Sequence, residues 1–325
     1  MGEEDALRFL ADRFKATQKE VLTGIGDDSA VVKIRDKACL VASTDTLVEG
    51  VHFHLGTQTP RQLGRKAVCV AVSDIGAMGA VPRYLLCSLG CRSADSMEFI
   101  EDLSEGVGEG CREFDVCLIG GNLSESRTVF INMTALGEVS SDDIVLRSGA
   151  SEGDDIYVTG TLGDSALGLR ALSGDRGIDG CEGAVSRHIE PTPRLQVGRM
   201  VAKRGIASSM IDVSDGLFCD LEKLTSEHGL GAEVSLGSLP LSPGFLSLCG
   251  RFSEDGYRLA LSGGEDYELL FTSSSQNRAS IEEVSRLCGI AISKIGSVTA
   301  GRKIRFFDEG GEEVFYDTAG FEHFC

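Results

Sequence analysis

Ala38-Cys39-Leu40-Val41-Ala42-Ser43-Thr44-Asp45-Thr46 is the stretch on which the reading of the fold turns. With Ala30-Val31-Val32-Lys33-Ile34 it forms a strand pair across the turn Arg35-Asp36-Lys37. The second strand runs straight into Ser43-Thr44-Asp45-Thr46, so a strand C-terminus delivers hydroxyls and a carboxylate together. Outward from this point, helical and strand patterns are mixed along the chain. Gly64 to Ala80 reads as a helix of small residues with Asp74 in its second half, where Gly76 and Gly79 would let another backbone come near. Tyr84 to Leu89 reads as a strand and Ser96 to Glu113 as a long polar helix. Asp115 to Ile119 reads as a buried strand that stops at Gly120-Gly121-Asn122, and Thr128 to Val139 as a further strand. The second half repeats the mix: strand Asp155 to Thr159, helices Ser165 to Leu172 and Leu195 to Lys203, strand Ser209 to Val213 and helix Leu217 to His228. Strand Tyr267 to Thr272, helix Ile281 to Leu287 and a β-rich stretch from Ile292 to Tyr316 follow. A short helix ending near Lys15 is expected at the start.

The class is therefore α/β (α+β). A length of 325 residues exceeds the ~250–300 that one core serves well, so two domains are expected. The boundary falls between Gly137 and Gly153, giving an N-terminal domain over 1–140 and a C-terminal domain over 150–325. Lys+Arg is 31 against Asp+Glu 50, a formal charge of -19 that would repel a phosphate backbone, so nucleic acid is not an expected partner. Apolar runs such as Val68-Cys69-Val70-Ala71-Val72 are too short to span a membrane. The acidic opening Met1-Gly2-Glu3-Glu4-Asp5 lacks a signal peptide's character, which places the protein in the cytoplasm. Eleven cysteines without a CxxC pair fit neither a disulfide framework nor zinc, and are expected to be reduced and mostly buried.

Acidic motifs recur at strand ends and helix starts: Gly24-Ile25-Gly26-Asp27-Asp28, Ser43-Thr44-Asp45, Ser73-Asp74, Asp212-Val213-Ser214-Asp215-Gly216 and Gly263-Gly264-Glu265-Asp266. Each alone reads as a turn or an N-cap. Gathered in one cleft they would repel one another, so cations must lie between them. The donor set is all oxygen, which suits the hard ions Mg2+ or Mn2+ over zinc. Mg2+ is commonly held by a few carboxylates plus substrate phosphates, so a nucleoside triphosphate is the natural guest. No Gly-Lys dipeptide exists, which excludes a Walker A loop, and Gly24-x-Gly26-x-x-Ser29 breaks the dinucleotide fingerprint at its third glycine. Gly149-Ala150-Ser151-Glu152-Gly153 has the spacing of a nucleophile elbow but leads into a strand rather than a helix.

Taken in order, Gly24 to Val31, Ser43 to Phe53, Val72 to Ala80, Asp212 to Leu217, Ser262 to Leu269 and the ending Gly320-Phe321-Glu322-His323-Phe324 resemble the thiamine-monophosphate kinases. The resemblance implies a fold shared with aminoimidazole-ribonucleotide synthetase, whose N-terminal sheet pairs with that of a second subunit in a homodimer. It implies transfer of the γ-phosphoryl of ATP to thiamine monophosphate with several Mg2+ ions. By the same resemblance, Asp28, Ser43, Thr44, Asp45, Asp74 and Asp212 are metal ligands, and Asp215 binds a further ion. Gly121, Arg147 and Ser214 lie against ATP, while His52, Glu265 and Phe321 hold the thiamine phosphate. Where the family commonly has Gly-Gly-Asp, this chain has Gly120-Gly121-Asn122, so a neutral amide stands in for a charged ligand.

The acceptor phosphate has its second pKa near ~6 and needs no general base, so direct in-line transfer is expected. Another ATP-dependent enzyme of the superfamily, or a non-catalytic nucleotide-binding homologue motivated by Asn122, is the alternative.

Overall fold

A computed structural model describes residues 19–316 apart from 26, 96, 175–178, 227–228 and 253. Two sheets organise them. The first contains β1 (Val21–Thr23), β2 (Ala30–Arg35), β3 (Ala38–Val48), β4 (Val81–Cys91), β5 (Cys117–Glu125) and β6 (Phe130–Val139), in the order β1-β2-β3-β6-β4-β5. All its pairings are antiparallel except β4 with β5. Strand alternation decides which face is covered: Cys39, Val41 and Leu47 of β3 and Ile131, Met133 and Ala135 of β6 are buried. Helices α1 (Pro60–Ala77) and α2 (Met97–Glu113) pack together, and both contribute to the apolar cluster that these strand residues form.

Helix α1 positions the site. Thr59 caps it in a reciprocal box with Gln62, and Pro60 occupies the first turn, where its missing N–H costs nothing. Its small residues let neighbours approach on several sides. A Cβ on Gly106 of α2 would lie 1.8 Å from the Arg61 carbonyl oxygen. At the other end, α1 meets α5 (Leu195–Lys203), where a Cβ on Gly198 would come within 2.2 Å of the Gly76 carbonyl. That second crossing joins the first sheet's layer to the second.

The second sheet contains β7 (Asp155–Thr159), β8 (Ser209–Asp212), β9 (Leu230–Ser235), β10 (Leu269–Ser273), β11 (Ile292–Ala300), β12 (Ile304–Phe307) and β13 (Glu313–Val314). Their order is β13-β12-β9-β11-β7-β10-β8. Only β12 with β9 is parallel. The remaining helices are α3 (Asp164–Ser173), α4 (Glu182–Ile189), α6 (Leu217–Ser226), α7 (Phe245–Arg251), α8 (Gly256–Ser262) and α9 (Arg278–Cys288). One apolar cluster gathers Leu167, Leu221, Phe245 and Leu261 with alternate strand residues such as Ile156 and Val158. Another joins Val197, Val201, Ile281 and Val284 to Tyr157 and Phe271, and includes Ala77 of α1.

Two strands run further than their side-chain pattern suggests. β3 does not end at Ser43 but continues to Val48, and β5 passes through Gly120-Gly121-Asn122 to Glu125. In both, the ladder is made by backbone groups, which pair irrespective of side-chain polarity. β5 is also exposed along its whole length rather than buried, because it is the edge strand. Helices α4, α7 and α8 and strand β9 have no counterpart in the expected elements. The helix expected near Lys15 lies outside the described residues. Among those residues no helix is long and apolar enough to cross a membrane. Among the described residues no cysteine forms a disulfide: Cys39, Cys69, Cys181 and Cys249 are buried, five are half-buried and Cys117 is exposed.

Candidate active site

Four segments meet at one point. Inward-facing positions of β3 supply Ser43 and Asp45, α1 supplies Ser73 and Asp74, β8 ends in Asp212, and the turn before β2 supplies Asp28. Carboxylate oxygens of Asp28, Asp74 and Asp212 all lie within 4.8 Å of one another. The Ser43 hydroxyl donates to Asp74, and the Ser73 hydroxyl donates to Asp212 Oδ2 at 2.5 Å. Asp45 lies beside Asp74. Arg147 is the cation of the group: its Nε donates to Asp28 Oδ1 at 2.9 Å, its Nη2 also reaches that oxygen, and its backbone N–H donates to Asp27 at 3.2 Å.

Like charges this close cannot all ionise freely. Burial pushes Asp28 up to about 6 even though Arg147 pulls it down. Burial raises Asp45 to about 6, and burial with Asp28 as neighbour raises Asp212 to about 7. Asp74 stands well above the carboxylate range, from burial first and then from Asp45, Asp212 and Asp28. Among the described residues, Asp28 Oδ2 and Asp45 Oδ2 are buried without a hydrogen-bond partner. Such atoms are costly unless something else binds them. Unpartnered carboxylate oxygens, an excess of negative charge and an all-oxygen donor set fit a hard divalent cation.

A second acidic group adjoins the first. Asp220 of α6 is fully buried and accepts the backbone N–H groups of Ser214 and Asp215 at 3.0 and 3.1 Å. Lys223 bridges Asp215 Oδ2 at 2.5 Å and Asp220 Oδ1 at 2.8 Å. Asp215 is therefore held by an ammonium group beside the main cluster.

The loop from Gly263 to Glu268 anchors the other side. Glu265 and Tyr267 have φ of 64° and 51°, the left-handed region that non-glycine residues avoid, so each neighbouring contact must hold the loop in place. Asp266 accepts from the Gly163 and Ser165 N–H groups at 2.7 and 3.3 Å. Glu268 is fully buried and bonded by Arg187, by Arg194 and by the Thr159 hydroxyl. Glu265 is bound by Lys66 Nζ at 2.8 Å and by His188 Nδ1 at 3.3 Å. His52 is near enough to favour its charge, and its own Nδ1 accepts the Val48 N–H at 3.0 Å. Tyr267 is buried within the core of the first sheet, beside Asp45, Asp74 and Asp212.

The structure thus brings Asp28, Ser43, Asp45, Asp74, Asp212 and Arg147 together, with Ser214 and Asp215 alongside and His52 and Glu265 near one another. It does not bring the Thr44 hydroxyl there, because successive residues of a strand face opposite ways. That hydroxyl meets Thr134 Oγ1 at 3.0 Å on the exposed face. Gly121 and Asn122 sit on β5, separated from β3 by β4 and β6, and the Asn122 amide donates to Ser124 Oγ at 2.8 Å. Phe321 lies outside the described residues. Residue-level reading gave no role to Ser73, quoted only beside Asp74, nor to Lys66, His188, Tyr267, Asp220 and Lys223. Lys66 had a signal, as a cation inside a helix of small apolar residues; the others become functional candidates only through their neighbours.

Known proteins resemble this chain along most of its length. The N-terminal domain of AIR synthase related proteins matches residues 26–139, and the C-terminal domain of the same proteins matches 151–309. The thiamine-monophosphate kinase of Salmonella typhimurium is 38% identical over 329 residues, covering 100% of this chain and 98% of the relative. That of Bacillus subtilis is 31% identical and covers 100% of both. Among solved structures, AaThiL complexed with AMPPCP and TMP superposes with a TM-score of 0.85 at 31% identity, covering 99% of this chain and 97% of that one. The thiamine-monophosphate kinase of Stenotrophomonas maltophilia gives 0.77 at 32% identity, covering 94% and 96%.

Proposed function

This chain belongs to the thiamine-monophosphate kinase family, and we propose that it phosphorylates thiamine monophosphate with ATP by direct in-line transfer, without a phosphoenzyme. The observation that supports this most is the convergence of Asp28, Asp74 and Asp212 around one point, with Asp45 and Arg147 against them. Phosphoryl transfer between two anions demands positioning and charge neutralisation rather than covalent help. The site offers both kinds of group, and no side chain in it is needed as a base, because the acceptor phosphate is largely deprotonated at neutral pH.

The carboxylates of Asp28, Asp45, Asp74 and Asp212 would hold Mg2+, with the Ser43 hydroxyl beside them. Asp215 would serve a further ion in exchange for its contact with Lys223. When bound, the ions offset the mutual repulsion of the two phosphate groups. Arg147 contributes a fixed guanidinium whose fork suits a phosphate once Asp28 has another partner. Ser214, locked by Asp220 and by the Glu265 N–H, offers a hydroxyl to the nucleotide. His52 and Glu265 present an imidazole and a carboxylate to the thiamine moiety, whose thiazolium is cationic. Phe321, Gly121 and Asn122 complete the assignment by resemblance, in which the Thr44 hydroxyl takes no part. The exposed edge strand that bears Gly121 and Asn122 makes a homodimer part of this reading, as does a division into domains near residues 140–150.

The test is a mixture of protein, ATP, Mg2+ and thiamine monophosphate assayed for the diphosphate. ATP binding without product would favour a non-catalytic homologue. Labelled protein after incubation with γ-labelled ATP alone would overturn the direct mechanism.

A further inference from the structure

Lys66 is the outlying charge of this molecule. It lies on α1, its side chain is 0% exposed, and the residues flanking it in the helix are packing residues such as Leu63, Ala67 and Val70. Burying an ammonium is costly unless it is paired and hydrogen-bonded. Its ionic partner is Glu265, from the other half of the molecule, at 2.8 Å.

Glu265 is constrained from every side. Its backbone sits at φ 64°, and its N–H donates to the Ser214 carbonyl at 2.8 Å. Lys66 takes one carboxylate oxygen and His188 the other, while the Ser165 hydroxyl lies 3.1 Å from the same His188 nitrogen. The side chain nonetheless remains 25% exposed. A carboxylate ion-paired on one oxygen, with the His188 ring beside the other, and still partly open is oriented for something outside the protein.

We propose that Lys66 is a positioning residue for thiamine phosphate: from within α1 it fixes the Glu265 carboxylate at the angle that receives the cationic thiazolium of the substrate. It acts through Glu265 alone, and it ties that loop to the same helix that carries Ser73 and Asp74. The inference rests on the assignment of Glu265 to the thiamine side.

The experiment compares Lys66→Met, Glu265→Gln and the double variant with wild-type protein. It measures KM for thiamine monophosphate, KM for ATP and kcat, with calorimetric binding of thiamine monophosphate as an activity-independent readout. Lys66→Met should raise KM and Kd for thiamine monophosphate roughly 10- to 100-fold while moving KM for ATP less than about threefold, because only one substrate contact is disturbed. The double variant should be no worse than the poorer single variant, because both remove one interaction. Should Lys66→Met fail to fold with Glu265 left unpaired, the double variant, which removes both charges, is compared with Glu265→Gln alone, and equal constants are expected. Additive losses, an equal rise in both KM values, or unchanged thiamine monophosphate affinity would overturn the role of Lys66. Wild-type protein that neither binds nor phosphorylates thiamine monophosphate would overturn the functional reading and this inference with it.

Discussion

At the scale of single residues, Asp74 shows how function and stability oppose each other. It faces Asp45, Asp28 and Asp212 at once, so the metal-free protein pays for a charge it needs only when cations are present. Asp74→Asn should lower turnover at least ~10²-fold, while the thermal midpoint measured in a chelator stays level or rises. An equal loss of stability and activity would show that the carboxylate is structural. The raised pKa values set a pH dependence with a definite sign. Asp28, Asp45 and Asp212 stand at about 6, 6 and 7 against an ordinary 3.8, so the folded protein binds these protons more tightly than the unfolded chain. Their stabilising effect is complete below the ordinary value and is lost as pH rises through 6 to 7. Metal-free protein should therefore be more stable at pH 5 than at pH 7.5, on the order of a few kcal/mol. Denaturant titrations at both pH values check this. Saturating Mg2+ or Asp212→Asn should shrink the difference, whereas general surface repulsion would leave it unchanged. The acidic residues themselves were legible, since Asp28, Asp45 and Asp74 each stand beside a hydroxyl residue and Asp212 stands two before Ser214. Tyr267 was not, and Lys66 showed only as a cation in a helix of small apolar residues, because what makes them notable is a partner about two hundred residues away.

At the scale of elements, α1 explains why a helix of small residues, with few large side chains of its own, sits at the centre of the fold. Gly64, Gly76 and Gly198 permit backbone contacts that a side chain would block. Gly106 has the tightest approach in α2, 1.8 Å from a Cβ to the Arg61 carbonyl, whereas a Cβ on Gly108 would meet only the end of the Arg112 side chain at 3.3 Å. Gly106→Val should cost about 1–3 kcal/mol or more by forcing the helices apart. Gly108→Ala should be neutral or gain up to ~1 kcal/mol by restricting the unfolded chain. Urea titrations of the two variants separate these outcomes, and equal effects would show that the crossing is not tight. Periodicity gave α2 and α5 nearly at their observed bounds because apolar and small residues repeat along them, whereas α1 runs from Pro60 to Ala77 rather than from Gly64 to Ala80. It could not give the full length of β3 or β5. Strands extend as far as a neighbouring backbone accepts their hydrogen bonds, and which strands are neighbours is a property of the whole sheet.

At the scale of the whole molecule, the first sheet is unfinished. β5 is an edge strand exposed along its length, and an edge offers unpaired N–H and C=O groups to another chain. Large apolar residues accompany it: Leu118, Ile119 and Leu123 on β5 and Tyr84 and Leu86 on β4 are 43%, 54%, 61%, 45% and 39% exposed. A chain with a formal charge of -19 would gain solubility from charged residues at such an edge, yet it places apolar ones there. A second copy of the chain is the occupant that the family resemblance implies, and burying these five side chains accounts for their character. Sedimentation of the wild-type protein should therefore give a dimer of 34.5 kDa chains. Leu123→Glu, which puts a charge at the most exposed of the five, should shift the equilibrium towards monomer by at least ~10-fold. Gly121 and Asn122 lie on this same strand and away from the carboxylates of their own chain, so activity should fall in step with the dimer fraction. Loss of the dimer with full retention of kcat would separate the edge from catalysis and remove Gly121 and Asn122 from the site. A wild-type monomer at micromolar concentration would leave the apolar edge to some other partner.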